Sequence, residues 1–118
     1  MNKFKIWLDD ERNPKEKIIQ DNFGANGDEI WIKTAEALIV LIKQNIVESV
    51  SFDHDLGENN ISINKNGYDV ALLIEELAYN NEIDPISWKI HTQNPVGRKN
   101  IENAMKNADR YWKKYFGK

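Results

Sequence analysis

A doubly wound, parallel α/β fold is what this 118-residue sequence predicts. Short apolar runs alternate four times with stretches whose apolar residues recur at helical spacing, the pattern of a parallel sheet carrying helices on its faces. Two of the runs lead straight into aspartates, and a third leads into a histidine and a threonine. In such sheets the carboxyl ends of the strands open into one crevice, so motifs far apart in sequence can converge there.

Residues 3–8 (KFKIWL) are the first expected strand, stopped by the polar, proline-containing DDERNP. A short helix is expected around 15–22, followed by a glycine-bounded loop at 24–27. Residues 29–33 (EIWIK) read as the second strand. Thr34 is then a suitable N-cap for a helix over 35–45, with Ala35, Leu38, Leu41 and Ile42 on one face. Residues 49–52 (SVSF) form a third strand that ends on Asp53. The polar, asparagine-rich stretch 57–66 suits a mobile loop over the crevice. A helix over 67–80 follows, with Val70, Leu73, Ile74 and Leu77 at helical spacing, and Asp84-Pro85 breaks the chain before the fourth strand, 86–90 (ISWKI). The last helix, 96–115, carries a core-facing stripe of Ile101, Met105, Ala108, Trp112 and Tyr115. Right-handed crossovers and the usual winding give the strand order 2-1-3-4. Strands one and three are then neighbours, which gathers Asp9, Asp10 and Asp53 at the point where such sheets bind ligands.

The length suits one domain spanning residues 1–118 and one active site. The sequence has no cysteine, no apolar run long enough for a membrane span and no secretory N-terminus, so a cytoplasmic protein without a membrane partner is expected. A net charge of −3 argues against general nucleic-acid binding. Arg98, Lys99, Lys106, Arg110, Lys113, Lys114 and Lys118 make the end of the chain basic, either as a solvated helix face or as a rim attracting an anionic substrate.

Aspartates are poor strand residues, and three of them at the ends of two adjacent strands repel one another in a partly desolvated place. A hard divalent cation such as Mg²⁺ or Mn²⁺ relieves that repulsion and shares its oxygen ligands with phosphate. The alternative is that these acids cap the following helices. His54 and His91, the only histidines, both close strands, and histidine exchanges protons near neutral pH. Asp55 can orient a histidine or join a metal shell. Arg12 can clamp a phosphate or pair with an acid, and Thr92 can donate to a phosphate oxygen or cap its loop. The segment 93–99 (QNPVGRK) enters the last helix through Pro95. Asn94, Arg98 and Lys99 therefore fall near free N–H groups and a positive helix end, where an anion is favoured.

An acidic pair closing the first strand, an aspartate closing the third and a hydroxyl residue closing the fourth resemble the receiver domains of two-component signalling. The resemblance implies that Asp9 and Asp10 are the metal-binding pair, that Asp53 stands at the phosphoacceptor position, and that Thr92 stands at the hydroxyl position. The receiver fifth strand and its lysine have no counterpart among the four expected strands. DHDL at 53–56, HT with its NPxG continuation, and the LDDER×P start look more like a stand-alone receiver-like family of bacteria and phages proposed to process cyclic phosphates. What this implies is a metal-dependent phosphoesterase acting on a cyclic nucleotide or a 2′,3′-cyclic phosphate end. Asp9, Asp10 and Asp53 would hold the ion, and His54 and His91, with Asp55, would move protons. Arg12, Thr92, Asn94, Arg98 and Lys99 would hold the phosphate-containing small molecule or nucleotide. The competing expectation is a non-catalytic receiver-like module that is phosphorylated on Asp53 or sequesters a phosphorylated ligand.

Overall fold

The structure, a computed structural model, describes residues 2–56 and 65–116. Four strands, β1 (Phe4–Leu8), β2 (Ile30–Ile32), β3 (Val47–Phe52) and β4 (Ser87–Ile90), pair in parallel in the order β2-β1-β3-β4. They alternate with α1 (Lys17–Phe23), α2 (Ala35–Lys43), α3 (Gly67–Tyr79) and α4 (Pro95–Phe116). The order is the expected 2-1-3-4. Of the expected loop at 57–66, residues 57–64 lie outside the described residues, and Asn66 belongs to the helix start. Its side chain accepts from the Asp69 N–H while the Asp69 carboxylate accepts from the Asn66 N–H, a reciprocal capping box.

The two-residue period of the strands sorts side chains between two unlike layers. Ile6 and Leu8 of β1, Val50 and Phe52 of β3, and Trp88 and Ile90 of β4 pair in register and face α2, α3 and α4, forming the main core with Leu38, Ile42, Val70, Ile74, Ile101 and Met105. β3 begins at Val47, two residues before its expected start. Val47 is buried against that core and pairs with Phe4, after which a register shift skips Glu48 and sets Lys5 opposite Ser49. The other sheet face is mostly polar: Lys5, Ser49, Ser51, Ser87 and Lys89 line a groove of about 130 Å³ there. Only around Trp7 does it become apolar, where Ile19 of α1 and Ala25 form a second small cluster. No helix of the described residues is long and apolar enough to cross a membrane.

Candidate functional site

The strand ladders run one residue beyond each strand, because the Asp9 N–H donates to the Ile32 carbonyl, Asp53 to Leu8, and His91 to Phe52. These three residues therefore keep a strand's alternation and stand side by side at the carboxyl end of the sheet. Two indole N–H groups pin the segment after β1. Trp7 donates to the Arg12 carbonyl at 3.0 Å, and Trp31 to the Asp9 carbonyl at 2.7 Å. A pocket of about 500 Å³ opens above the strand ends, walled by Asp10, Glu11, Arg12, Asp53, Asp55, Thr92, Gln93, Asn94 and Pro95.

Asp9 is fully buried at the floor, and all its lone pairs are taken. Its Oδ1 accepts from the Glu11 and Arg12 N–H groups at 2.8 and 3.0 Å; its Oδ2 accepts from Arg12 Nη1 and His91 Nε2, both at 3.0 Å. Burial alone would raise its pKa, but these hydrogen bonds outweigh it and hold the carboxyl at about 2. Asp53 is pushed the other way: burial and the neighbouring Asp9 charge raise it, against a hydrogen bond from Thr92 and the charges of His91 and Arg12. Asp10 is also raised, first by burial, then by Glu11 and Asp9. Each of the three aspartates offers an oxygen within 4.8 Å of the others, so the group can hold a metal ion. Hard carboxylate oxygens with excess negative charge suit a hard cation.

Arg12 is the cation already inside this cluster. Besides its bond to Asp9, its Nη1 lies 3.7 Å from Asp53 Oδ2, and its guanidinium rests 4.4 Å from the centre of the Phe23 ring. It also reaches the pocket wall.

The two histidines part company. His91 lies beneath the floor, stacked on Trp7 at 3.8 Å, with Nε2 on Asp9 and Nδ1 at 2.8 Å from Ser51 Oγ. Strand alternation explains this: His91 follows Lys89 on the polar sheet face and folds back over Trp7 and Ser51. Because Asp9 is ionised, Nε2 carries a proton towards it. His54 stands behind the wall: its Nδ1 is 2.9 Å from Asp55 Oδ1, and Asp55 lines the pocket. A carboxylate only accepts, so Nδ1 carries the proton, and the 3.4 Å approach of Asn94 Nδ2 to the same nitrogen is a contact between two donors. The His54 hydrogen bond lowers the Asp55 pKa, with help from Asn94.

α4 enters through the pocket. Asn94 Oδ1 accepts from the Gly97 N–H at 3.0 Å, and Thr92 Oγ1 from the Asn94 N–H at 3.3 Å. Arg98 and Lys99 are not in the pocket wall. Arg98 turns back to the Ile90 carbonyl at 2.7 Å, and Lys99 points outward beside Glu102. The structure thus brings Arg12, Thr92, Asn94, Asp10, Asp53 and Asp55 to one cavity. His54, His91 and Asp9 stand behind them. Trp7 and Ser51 read in the sequence only as strand residues; Ser51, two residues before Asp53 in an apolar run, carries the one signal that could have marked it.

A four-stranded parallel sheet ordered β2-β1-β3-β4, with acids closing both central strands, defines a receiver-like α/β protein with its site at the carboxyl edge. The family model of the cyclic-phosphate processing receiver domain matches residues 4–107, and the chain belongs to that family. No curated protein and no solved structure matches it significantly.

Proposed function

We propose that this protein is a metal-dependent phosphoesterase that opens a cyclic phosphate, on a cyclic nucleotide or at a 2′,3′-cyclic phosphate end. The observation that carries the reading is the charge of the pocket. Asp10, Glu11, Asp53 and Asp55 line it, with Arg12 the one cationic wall residue among the described residues, and Asp9 lies below. A phosphate diester is repelled by such a wall unless a cation joins it. Asp10 and Asp53 have lone pairs to give that cation; Asp9 becomes available when Arg12 releases its Oδ2. When bound, the ion supplies Lewis acidity at a phosphoryl oxygen.

Ring opening removes a proton from the attacking water, breaks one ester P–O bond and delivers a proton to the departing oxygen, leaving a phosphate monoester. Asp55 is the wall carboxylate hydrogen-bonded to a histidine, so this exchange is assigned to the Asp55–His54 pair. His91 is a positioning residue, holding Asp9 from behind through a ring that both Trp7 and Ser51 fix. Arg12 released from Asp9, the Thr92 hydroxyl and Asn94 face the phosphate, with the positive end of α4 at the rim.

Cyclic mononucleotides, cyclic oligonucleotides and RNA ending in 2′,3′-cyclic phosphate are to be offered to the purified protein with Mg²⁺ or Mn²⁺. The reading expects metal-dependent turnover of at least one class, abolished in Asp53→Asn. Saturable binding without turnover would replace it with a ligand-sequestering module, and neither binding nor turnover would remove it.

A further inference from the structure

Along the C-terminal half of α3, where it runs beside α4, lies an open groove of about 500 Å³ lined by Leu72, Glu75, Glu76, Tyr79 and Tyr111. Its apolar side chains are held open to solvent. Leu72, Tyr79 and Tyr115 are 38%, 59% and 44% exposed, yet the Tyr79 and Tyr111 rings meet edge to face at 5.2 Å and the Tyr115 hydroxyl donates to the Tyr79 carbonyl at 2.6 Å. An ordered aromatic surface of this kind loses little side-chain entropy when covered, and contiguous apolar patches mark contact sites.

The groove is acidic on its α3 side, through Glu75 and Glu76, and on α4 the exposed Arg110 and Lys114, one residue before and three after Tyr111, flank it with the opposite charge. Asn107 joins the walls, donating to Glu75 at 2.6 Å and accepting from the Arg110 guanidinium. A surface acidic on one side of an apolar seam and basic on the other is complementary to itself under one particular rotation. A two-fold axis running along the seam sets α3 of each copy on α4 of the other, so both charge pairs are opposite. An axis across the helices sets like on like.

We propose that this face binds a second copy of the chain in a two-fold dimer whose axis follows the α3–α4 groove. Both pockets stay open in this arrangement, because the groove lies on the C-terminal half of α3 and beside the end of α4, whereas Pro95 at the start of α4 lines the pocket and Gly67 at the start of α3 sits beside Asp53 and His54.

Sedimentation equilibrium of the full chain over a wide concentration range tests the proposal. Wild type should be dimeric, Tyr79→Ser should weaken the dimer about tenfold or more, and Glu76→Lys and Lys114→Glu should each separate it into monomers. All three positions are exposed, and circular dichroism checks that the variants stay folded. An equimolar mixture of Glu76→Lys and Lys114→Glu chains should dimerise again, since each reversed wall then meets its complement, and the double variant Glu76→Lys/Lys114→Glu should dimerise by itself. A monomeric wild type overturns the proposal. So does a dimer indifferent to the single reversals, which would place the contact on another face, or a mixture that stays monomeric.

Discussion

Burial strips Asp9 of water and replaces every lost hydrogen bond with a protein donor, whereas Asp53 keeps the burial and gains fewer partners. Their contributions to stability therefore have opposite signs. Asp9, held at about 2 against an ordinary 3.8, contributes stability that is fully present above pH 3.8 and is lost as pH falls through its folded value, roughly 2 kcal/mol in all. Asp53, raised, opposes folding while charged and is relieved as pH falls. Urea unfolding of the metal-free protein should find Asp53→Asn as stable as wild type or more so. Asp9→Asn should be destabilised by about 2–4 kcal/mol, because Arg12 and His91 lose the carboxylate they share, and its stability should vary less between pH 3.8 and 2. Equal effects of the two substitutions would contradict the assignment. Ser51→Ala removes the only bond at His91 Nδ1 among those described, and should lower turnover several-fold with KM nearly unchanged, the mark of a residue that positions rather than binds. A rise in KM alone would place Ser51 in contact with substrate. The repulsion among the aspartates was legible in the sequence; the donors that saturate Asp9 and the Ser51–His91 bond were not. Histidine at a strand end marked His91 for proton transfer, but which nitrogen is engaged, and by what, depends on Trp7 and Ser51 from other strands.

Helix starts were the most readable elements and also held the least readable constraints. Thr34 caps α2 as expected, its side chain accepting from the Ala37 N–H at 3.2 Å. Asn66→Ala removes half of the α3 capping box and should cost about 1 kcal/mol in thermal or urea unfolding. The glycines that open α3 and α4 answer to tertiary contacts instead: a Cβ on Gly67 would overlap the Asp53 carbonyl, and one on Gly97 would overlap the His54 ring. Gly97→Ala should push His54 away from Asp55, costing about 1–3 kcal/mol and most of the turnover. A variant with wild-type stability and rate would show that the α4 start does not press on His54. The structure divides QNPVGRK between the pocket and the surface of α4. Asn94 and Pro95 line the pocket, but Arg98 and Lys99, one turn further on, face the β4 end and solvent.

For the molecule as a whole, metal binding should appear as stability, since an ion that binds only the folded state raises its melting temperature. Millimolar Mg²⁺ or Mn²⁺ should raise the melting temperature of wild type and leave that of Asp53→Asn unchanged; equal shifts would move the ion elsewhere. By itself the sequence determined the alternation of strands and helices, the order 2-1-3-4 and the gathering of Asp9, Asp10 and Asp53. Those follow from periodicity and the handedness of crossovers, which are local and chiral properties of the chain. Only the tertiary structure decided which side of the floor each group occupies: Arg12 inside the acid cluster, His91 beneath it, His54 behind Asp55. Periodicity gives the direction in which a side chain leaves its strand, but the partner that fixes its far end comes from a neighbouring strand or loop.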